Sequence, residues 1–268
     1  MSSPLRRFAA SPEGDRACGP AKPVPRHVLG KDTFILSVGL RAMFLVTFFC
    51  LTACGARNQG NDWFPLRAGD AQTYVATYNT DEPRETEVWT LTTQGPISLD
   101  GVETMQRHHS DGVTYYFDVG DQGIRRVATR MDIDQAPSLD AEPRWVIKAP
   151  YTVGTEWSTH TVPYLIQRIN EYPRELKYSH TAQMVWRIEA VDDEVQLGDG
   201  QAALKPCLRL RGEARLNLYT DSVHGFTEVP LIGQEWYCKG RGLVKFERRE
   251  AVPRGFFTGG SLSAQVRR

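Results

Sequence analysis

His108-His109-Ser110-Asp111 is the one stretch of this sequence that gathers side chains able to hold a metal or move a proton. Imidazole and carboxylate groups are the usual zinc ligands and general bases. Their spacing argues against both roles. Successive side chains of a strand point to opposite faces, so His108 and His109 do not converge on one ion. Asp111-Gly112 has the composition of a hairpin turn. We therefore expect no metal ligand and no catalytic residue here. Alanine at either histidine should cost no more than ~0.5 kcal/mol, as at a surface position. His160, His180 and His224 stand alone, and Asp192-Asp193-Glu194 has the composition of a solvated loop beside a turn. There is no G-x-S-x-G elbow, no H-E-x-x-H and no Gly-rich phosphate loop followed by Lys and Ser/Thr. The chain reads as a non-enzymatic protein with no implied cofactor.

The elements around these residues alternate with period two. Leu208, Leu210, Gly212, Ala214, Leu216 and Leu218 share one parity, and Arg209, Arg211, Glu213, Arg215 and Asn217 share the other. That pattern is a long strand, or two strands broken at Gly212, with one wet face. Met184, Trp186, Ile188 and Ala190 alternate with polar neighbours in the same way, as do Val113, Tyr115 and Phe117. Aromatic and β-branched residues crowd 73–80 and 87–93. Gln94-Gly95-Pro96, Asp100-Gly101, Asp111-Gly112, Asp121-Gln122-Gly123, Gly198-Asp199-Gly200 and Lys239-Gly240-Arg241-Gly242 read as the turns between them. Only 171–178 could hold a helical turn. The fold class is all-β: an antiparallel curved sheet, arranged as a sandwich or an open barrel. A loose echo, P-x-x-x-G-x-x-[WQ]-[TS], starts at Pro65 and again at Pro150, which suggests two related halves.

The N-terminal region differs. Ala42 to Ala53 is an apolar run of twelve residues preceded by Lys31 and Arg41. A spanning helix needs ~20, whereas a basic residue, a short apolar run and small residues make a secretory signal. Leu51-Thr52-Ala53-Cys54 resembles the lipobox of bacterial lipoproteins, where cleavage precedes a cysteine that takes a diacylglyceryl group. The resemblance implies lipidation at Cys54 and a membrane partner through that lipid. Gly55, where an aspartate would resemble inner-membrane retention, resembles the outer-membrane default. We expect a lipid-anchored protein of the cell envelope, on the periplasmic face of the outer membrane. Residues 1–30 do not resemble an ordinary n-region, and a start within 30–43 is expected.

The expected organisation is 1–53 as extension and signal, 54–62 as flexible tether, 63–252 as the β domain and 253–268 as flexible tail. Seven of the 32 basic and three of the 32 acidic residues precede Cys54, leaving 25 against 29 and a net charge near −4. With no basic block, nucleic acid is excluded as a partner. Export also makes the remaining cysteines legible. Cys207 and Cys238 are an even pair in an oxidising compartment, expected as a disulfide closing a loop of about 30 residues. The rival is two buried free thiols. Cys207 has the parity of Arg209, so the bridge is expected near the wet face or the sheet rim.

"DWFPLRAGDAQTYVATY" (62–78) resembles the opening [WY]-F-P-L-x-x-G-x-x-W-x-Y of uncharacterised bacterial envelope lipoproteins. "KPCLRLRG" (205–212) and "YCKGRGLVKFE" (237–247) resemble their later segments. Gln72 takes the usual tryptophan position, and Trp157 restores it in the second echo. The resemblance implies an all-β, lipid-anchored periplasmic domain and brings no established activity. All six tryptophans (63, 89, 145, 157, 186 and 236) follow Cys54, serving either sheet packing or an aromatic-lined site. Three functions are weighed in this order: a structural or protein-interaction role with another envelope protein; a carrier or binding module for a lipid or other apolar ligand; and an enzyme without a readable motif.

Overall fold

The structure is a computed structural model that describes residues 60–198, 202–252 and 255–267. The lipobox and Cys54 lie outside the described residues. The strands are β1 (Gly60–Asn61), β2 (Phe64–Pro65), β3 (Ala71–Thr80), β4 (Glu87–Leu99), β5 (Val102–His109), β6 (Val113–Gly120), β7 (Gly123–Met131) and β8 (Ser138–Lys148). Then follow β9 (Glu156–Thr161), β10 (Gln167–Arg168), β11 (Ala182–Val195), β12 (Leu204–Asp221), β13 (Gly225–Cys238), β14 (Gly242–Glu250), β15 (Phe257–Thr258) and β16 (Gly260–Arg267). A single 3-10 turn at Leu176–Tyr178 is the only helical element among the described residues.

Twelve strands make one antiparallel sheet in the order β8-β7-β6-β5-β4-β3-β16-β14-β13-β12-β11-β9. Its two edge strands, β8 and β9, lie beside each other without a ladder, so the sheet is a nearly closed barrel. Long strands twist, and twelve of them bury one face by curling around it. β12 shows why. Its Leu208, Leu210, Ala214, Leu216 and Leu218 are all buried inside, while Glu213, Arg215 and Asn217 are exposed. It runs unbroken through Gly212. The hairpin turns at Asp100-Gly101, Asp111-Gly112 and Lys239–Arg241 fall between paired strands, with Asp100 and Gly101 both at positive φ (49° and 80°).

The barrel is two halves built alike. β3 to β8 form one six-strand meander, and β9, β11, β12, β13, β14 and β16 form the other. The entry turns match bond for bond. Gly69 N–H donates to the Thr93 carbonyl, Asp70 N–H to Arg67, and Thr93 N–H to Asp70. In the second half Gly154 N–H donates to Ile188, Thr155 N–H to Thr152, and Ile188 N–H to Thr155. Gly69 and Gly154 both sit at positive φ (88° and 92°), which glycine adopts without steric cost. The echo read at Pro65 and Pro150 is therefore a structural repeat. The halves meet at two seams: β3–β16 is zipped by eight residue pairs, and β8–β9 is not zipped.

Several expectations are corrected. Residues 253–268 were expected to be a flexible tail, yet β16 lies between β14 and β3 and joins the halves, because its main chain is paired on both sides. The expected tether 54–62 ends earlier, since β1 at 60–61 already pairs with β2. Gln94-Gly95-Pro96 is a bulge inside the 13-residue β4, not a turn. On β6 both faces are covered: Thr114 and Tyr116 are buried along with Val113, Tyr115 and Phe117.

Cys207 and Cys238 are directly opposite each other on β12 and β13, with Cα atoms 4.0 Å apart and sulfurs 1.91 Å apart. The bridge is not at a wet rim. It is buried outside the barrel wall in a small cluster with Val195, Leu197 and Val244, because the chain after β11 folds back over it.

Candidate functional site

β14 runs the length of the lumen, and a segment crosses the barrel near each of its ends. At its start, Asn61 caps the turn to Phe64, accepting from the Trp63 and Phe64 N–H groups (both 2.9 Å), and Gly240 N–H donates to the Asp62 carbonyl at 2.6 Å. This places the Phe64 ring inside, edge-on to Phe117 at 5.3 Å. At its end, Glu250 is fully buried and its carboxylate accepts from the backbone N–H groups of Tyr164, Leu165 and Ile166 (2.8, 2.7 and 3.3 Å). Arg248 Nε donates to the same carboxylate at 2.8 Å and the Arg248 guanidinium lies over the Tyr164 ring at 4.6 Å. A buried carboxylate with several donors is a strong pin, and here it fastens the loop after β9 across the lumen.

Between these two segments lies a cavity of about 150 Å³. Phe64, Leu91, Tyr115, Phe117, Trp186 and Leu243 supply its apolar wall, and Arg144 to Val146 of β8 face Thr159 to Thr161 of β9 across the open seam. Three arginines are buried among the described residues. Arg126 forms a two-pronged ion pair with Asp140 (2.7 and 2.6 Å), and Arg248 is paired with Glu250. Arg107 differs: its Nη2 donates to Gln72 Oε1, and its guanidinium lies 5.3 Å from the Phe64 ring centroid. Burial lowers its pKa.

Glu235, also on the cavity wall, accepts from the Tyr237 hydroxyl at 2.6 Å, and burial pushes its carboxyl up to about 7. Tyr74 donates to the Leu243 carbonyl at 2.6 Å, and burial pushes its hydroxyl up to about 12.

Of the histidines singled out in the sequence, His160 lies on the cavity wall, and the His108-His109 pair lies away from it. His108 faces Asp132 on the outside at 3.4 Å, and His109 points inward, its Nδ1 2.6 Å from Asp111. The two are on opposite faces, and among the described residues no group of three or more His, Cys, Asp or Glu could hold a metal. The expectation that His109 is a surface residue is corrected: it is fully buried and its ring packs on Trp89 at 5.2 Å. Of the six tryptophans, Trp145 and Trp186 line the cavity, while Trp89 and Trp157 pack in the core. Sequence reading missed Arg107, Glu235, Arg248 and Glu250. Their signal was present: each is a charged residue in the inward parity row of its strand, as Glu235 is between Gly233 and Tyr237.

Fold and site together define a nearly closed, twelve-strand antiparallel barrel with an aromatic-lined lumen. No family model matches the chain, and no curated protein matches it. Two solved structures are similar to it. One is a Bacteroides fragilis protein described as exported and of YmcC-like fold, at 12% identity and a TM-score of 0.33, covering 76% of this chain and 98% of that one. The other is a Parabacteroides distasonis protein described as a lipoprotein, at 9% identity and a TM-score of 0.28, covering 78% and 99%. Neither similarity reaches the level at which a site or a role is carried over.

Proposed function

We propose that this is a lipid-anchored protein of the bacterial cell envelope, held through Cys54 at the periplasmic face of the outer membrane, whose barrel binds a small apolar ligand without transforming it. The observation that carries the binding role is the cavity. A lumen walled largely by Phe64, Leu91, Phe117, Trp186 and Leu243 offers mainly apolar contact, as small-molecule sites commonly do. About 150 Å³ is the size of an apolar cavity that accepts benzene. The anchor is supported by Leu51 to Gly55 and the preceding apolar run.

A test uses the full-length protein in mild detergent with toluene as probe. Toluene should raise the Tm and change tryptophan fluorescence through Trp145 and Trp186, and Leu91→Trp, which fills the cavity, should abolish both effects. No response from the wild type at saturating toluene would sink the binding role. A structural or protein-interaction role is the second reading, favoured by the open seam: β8 and β9 each present a strand edge without a ladder, the usual place for another chain to add a strand.

A further inference from the structure

Arg107 is the one buried arginine whose charge is in no ion pair among the described residues. It is 4% exposed, and its Nε has no hydrogen-bond partner. The other two buried arginines, Arg126 and Arg248, each face a carboxylate. Leaving a buried cation uncompensated is strongly unfavourable, and a buried donor left unmade carries its own penalty. Asp70 attracts it without forming an ion pair, and Glu235 is hydrogen-bonded to Tyr237. What Arg107 does have is a place on the cavity wall, a ring beneath it in Phe64, and Gln72 to hold it. Gln72 in turn donates to the Arg241 carbonyl in the β13–β14 turn, so the guanidinium is fixed from a rigid part of the barrel. Gln72 also stands where the second half carries Trp157, so the first half keeps a polar group at the position the other half fills with an indole.

We infer that Arg107 is the anchor of an anionic ligand, and that the lumen takes a small amphipathic carboxylic acid whose carboxylate meets the Arg107 fork and whose apolar body fills the space among Phe64, Phe117 and Leu91. A guanidinium presents two N–H groups in a plane that matches a carboxylate. The buried, unpartnered Nε and the adjacent Nη2, which gives one of its two N–H groups to Gln72, form that edge. A body the size of a benzene ring suits the volume. This rests on the binding role proposed above and adds one anionic group to the apolar ligand proposed there.

The experiment compares benzoate with benzamide, nearly equal in shape and different in charge, by calorimetric titration of the full-length protein, with toluene as the uncharged control. Benzoate should bind at least ten-fold more tightly than benzamide, and Arg107→Met, which keeps the bulk, should erase the difference. The same variant without ligand should melt no lower than wild type, because it removes an unpaired buried charge. Equal affinity for benzoate and benzamide, with toluene still bound, would overturn the anion site and leave the apolar binding role standing. Failure of all three probes would overturn both. Should Arg107→Met fail to fold, the wild-type comparison decides the matter alone.

Discussion

Trp186 fills the space that side chains at Gly212 would occupy: a Cβ there would lie 2.8 Å from the indole and 2.9 Å from Met184 Sδ. Gly233, directly across on β13, meets the same indole at 2.8 Å. Gly→Ala in a strand ordinarily gains a little by restricting the unfolded chain, but here the added methyl overpacks the wall. Gly212→Ala and Gly233→Ala should each destabilise by about 1–3 kcal/mol, read as a fall in the urea midpoint. Combining either with Trp186→Leu should recover part of the loss. A neutral or stabilising Gly212→Ala would show that the indole is free to move aside.

Glu250 is expected to be the costliest single residue to alter. Its removal strands the Arg248 charge and frees the backbone donors at 164–166. Glu250→Ala should cost about 3–5 kcal/mol, the range for breaking a buried pair. Hydrogen exchange should show the loop after β9 deprotected first. Uniform deprotection of the barrel would mean that the carboxylate does not hold that loop.

Acid should strengthen the fold through Glu235. The folded protein keeps this proton up to about pH 7, whereas its ordinary value is 4.5. Between those values the native state binds the extra proton, so stability falls as pH rises through the window. The loss is of order 3 kcal/mol by pH 7. Glu235→Gln should flatten the urea-midpoint profile between pH 4.5 and 7. An unchanged slope would assign the dependence to other groups.

The two neighbouring histidines should behave oppositely. His108→Ala should fall within about 0.5 kcal/mol of wild type, as an outside position. His109→Ala opens a cavity beside Trp89 and should cost about 2–3 kcal/mol, below the figure for a larger ring. Equal effects in chemical denaturation would contradict the burial of His109.

Cys54→Ser should leave an unprocessed precursor, and wild-type protein should partition with membranes and into detergent. Two or three acyl chains anchor a protein firmly where one does so only reversibly. Wild-type protein recovered wholly in the aqueous fraction would remove the anchor.

The strands were legible where a strand buries one face of apolar residues, as β11 and β12 do, and where Asp-Gly makes the turn. Legibility failed for three physical reasons. β16 reads GSLSAQVR, with little to distinguish it from a tail, because its buried side chains are only Leu262 and Ala264 and pairing on both sides supplies the rest of its hold. Gly95 looks like a turn residue because positive φ suits bulges as well as hairpins. The interior arginines and glutamates are not legible as a site, since charge alone says nothing about a partner that comes from a distant strand, as Asp140 comes to Arg126. The candidate site was thus largely hidden, although the repeat that frames it was visible at Pro65 and Pro150.

That repeat has a consequence for the seams. Two identical subunits related by a twofold axis would have to make identical contacts at both junctions. Placing both halves on one chain removes that obligation, so each junction is free to specialise. The β3–β16 junction has taken the part of a permanent weld. The β8–β9 junction keeps its main-chain groups uncommitted, and any breathing of the barrel would concentrate there, like a ring cut at one point that flexes at its gap.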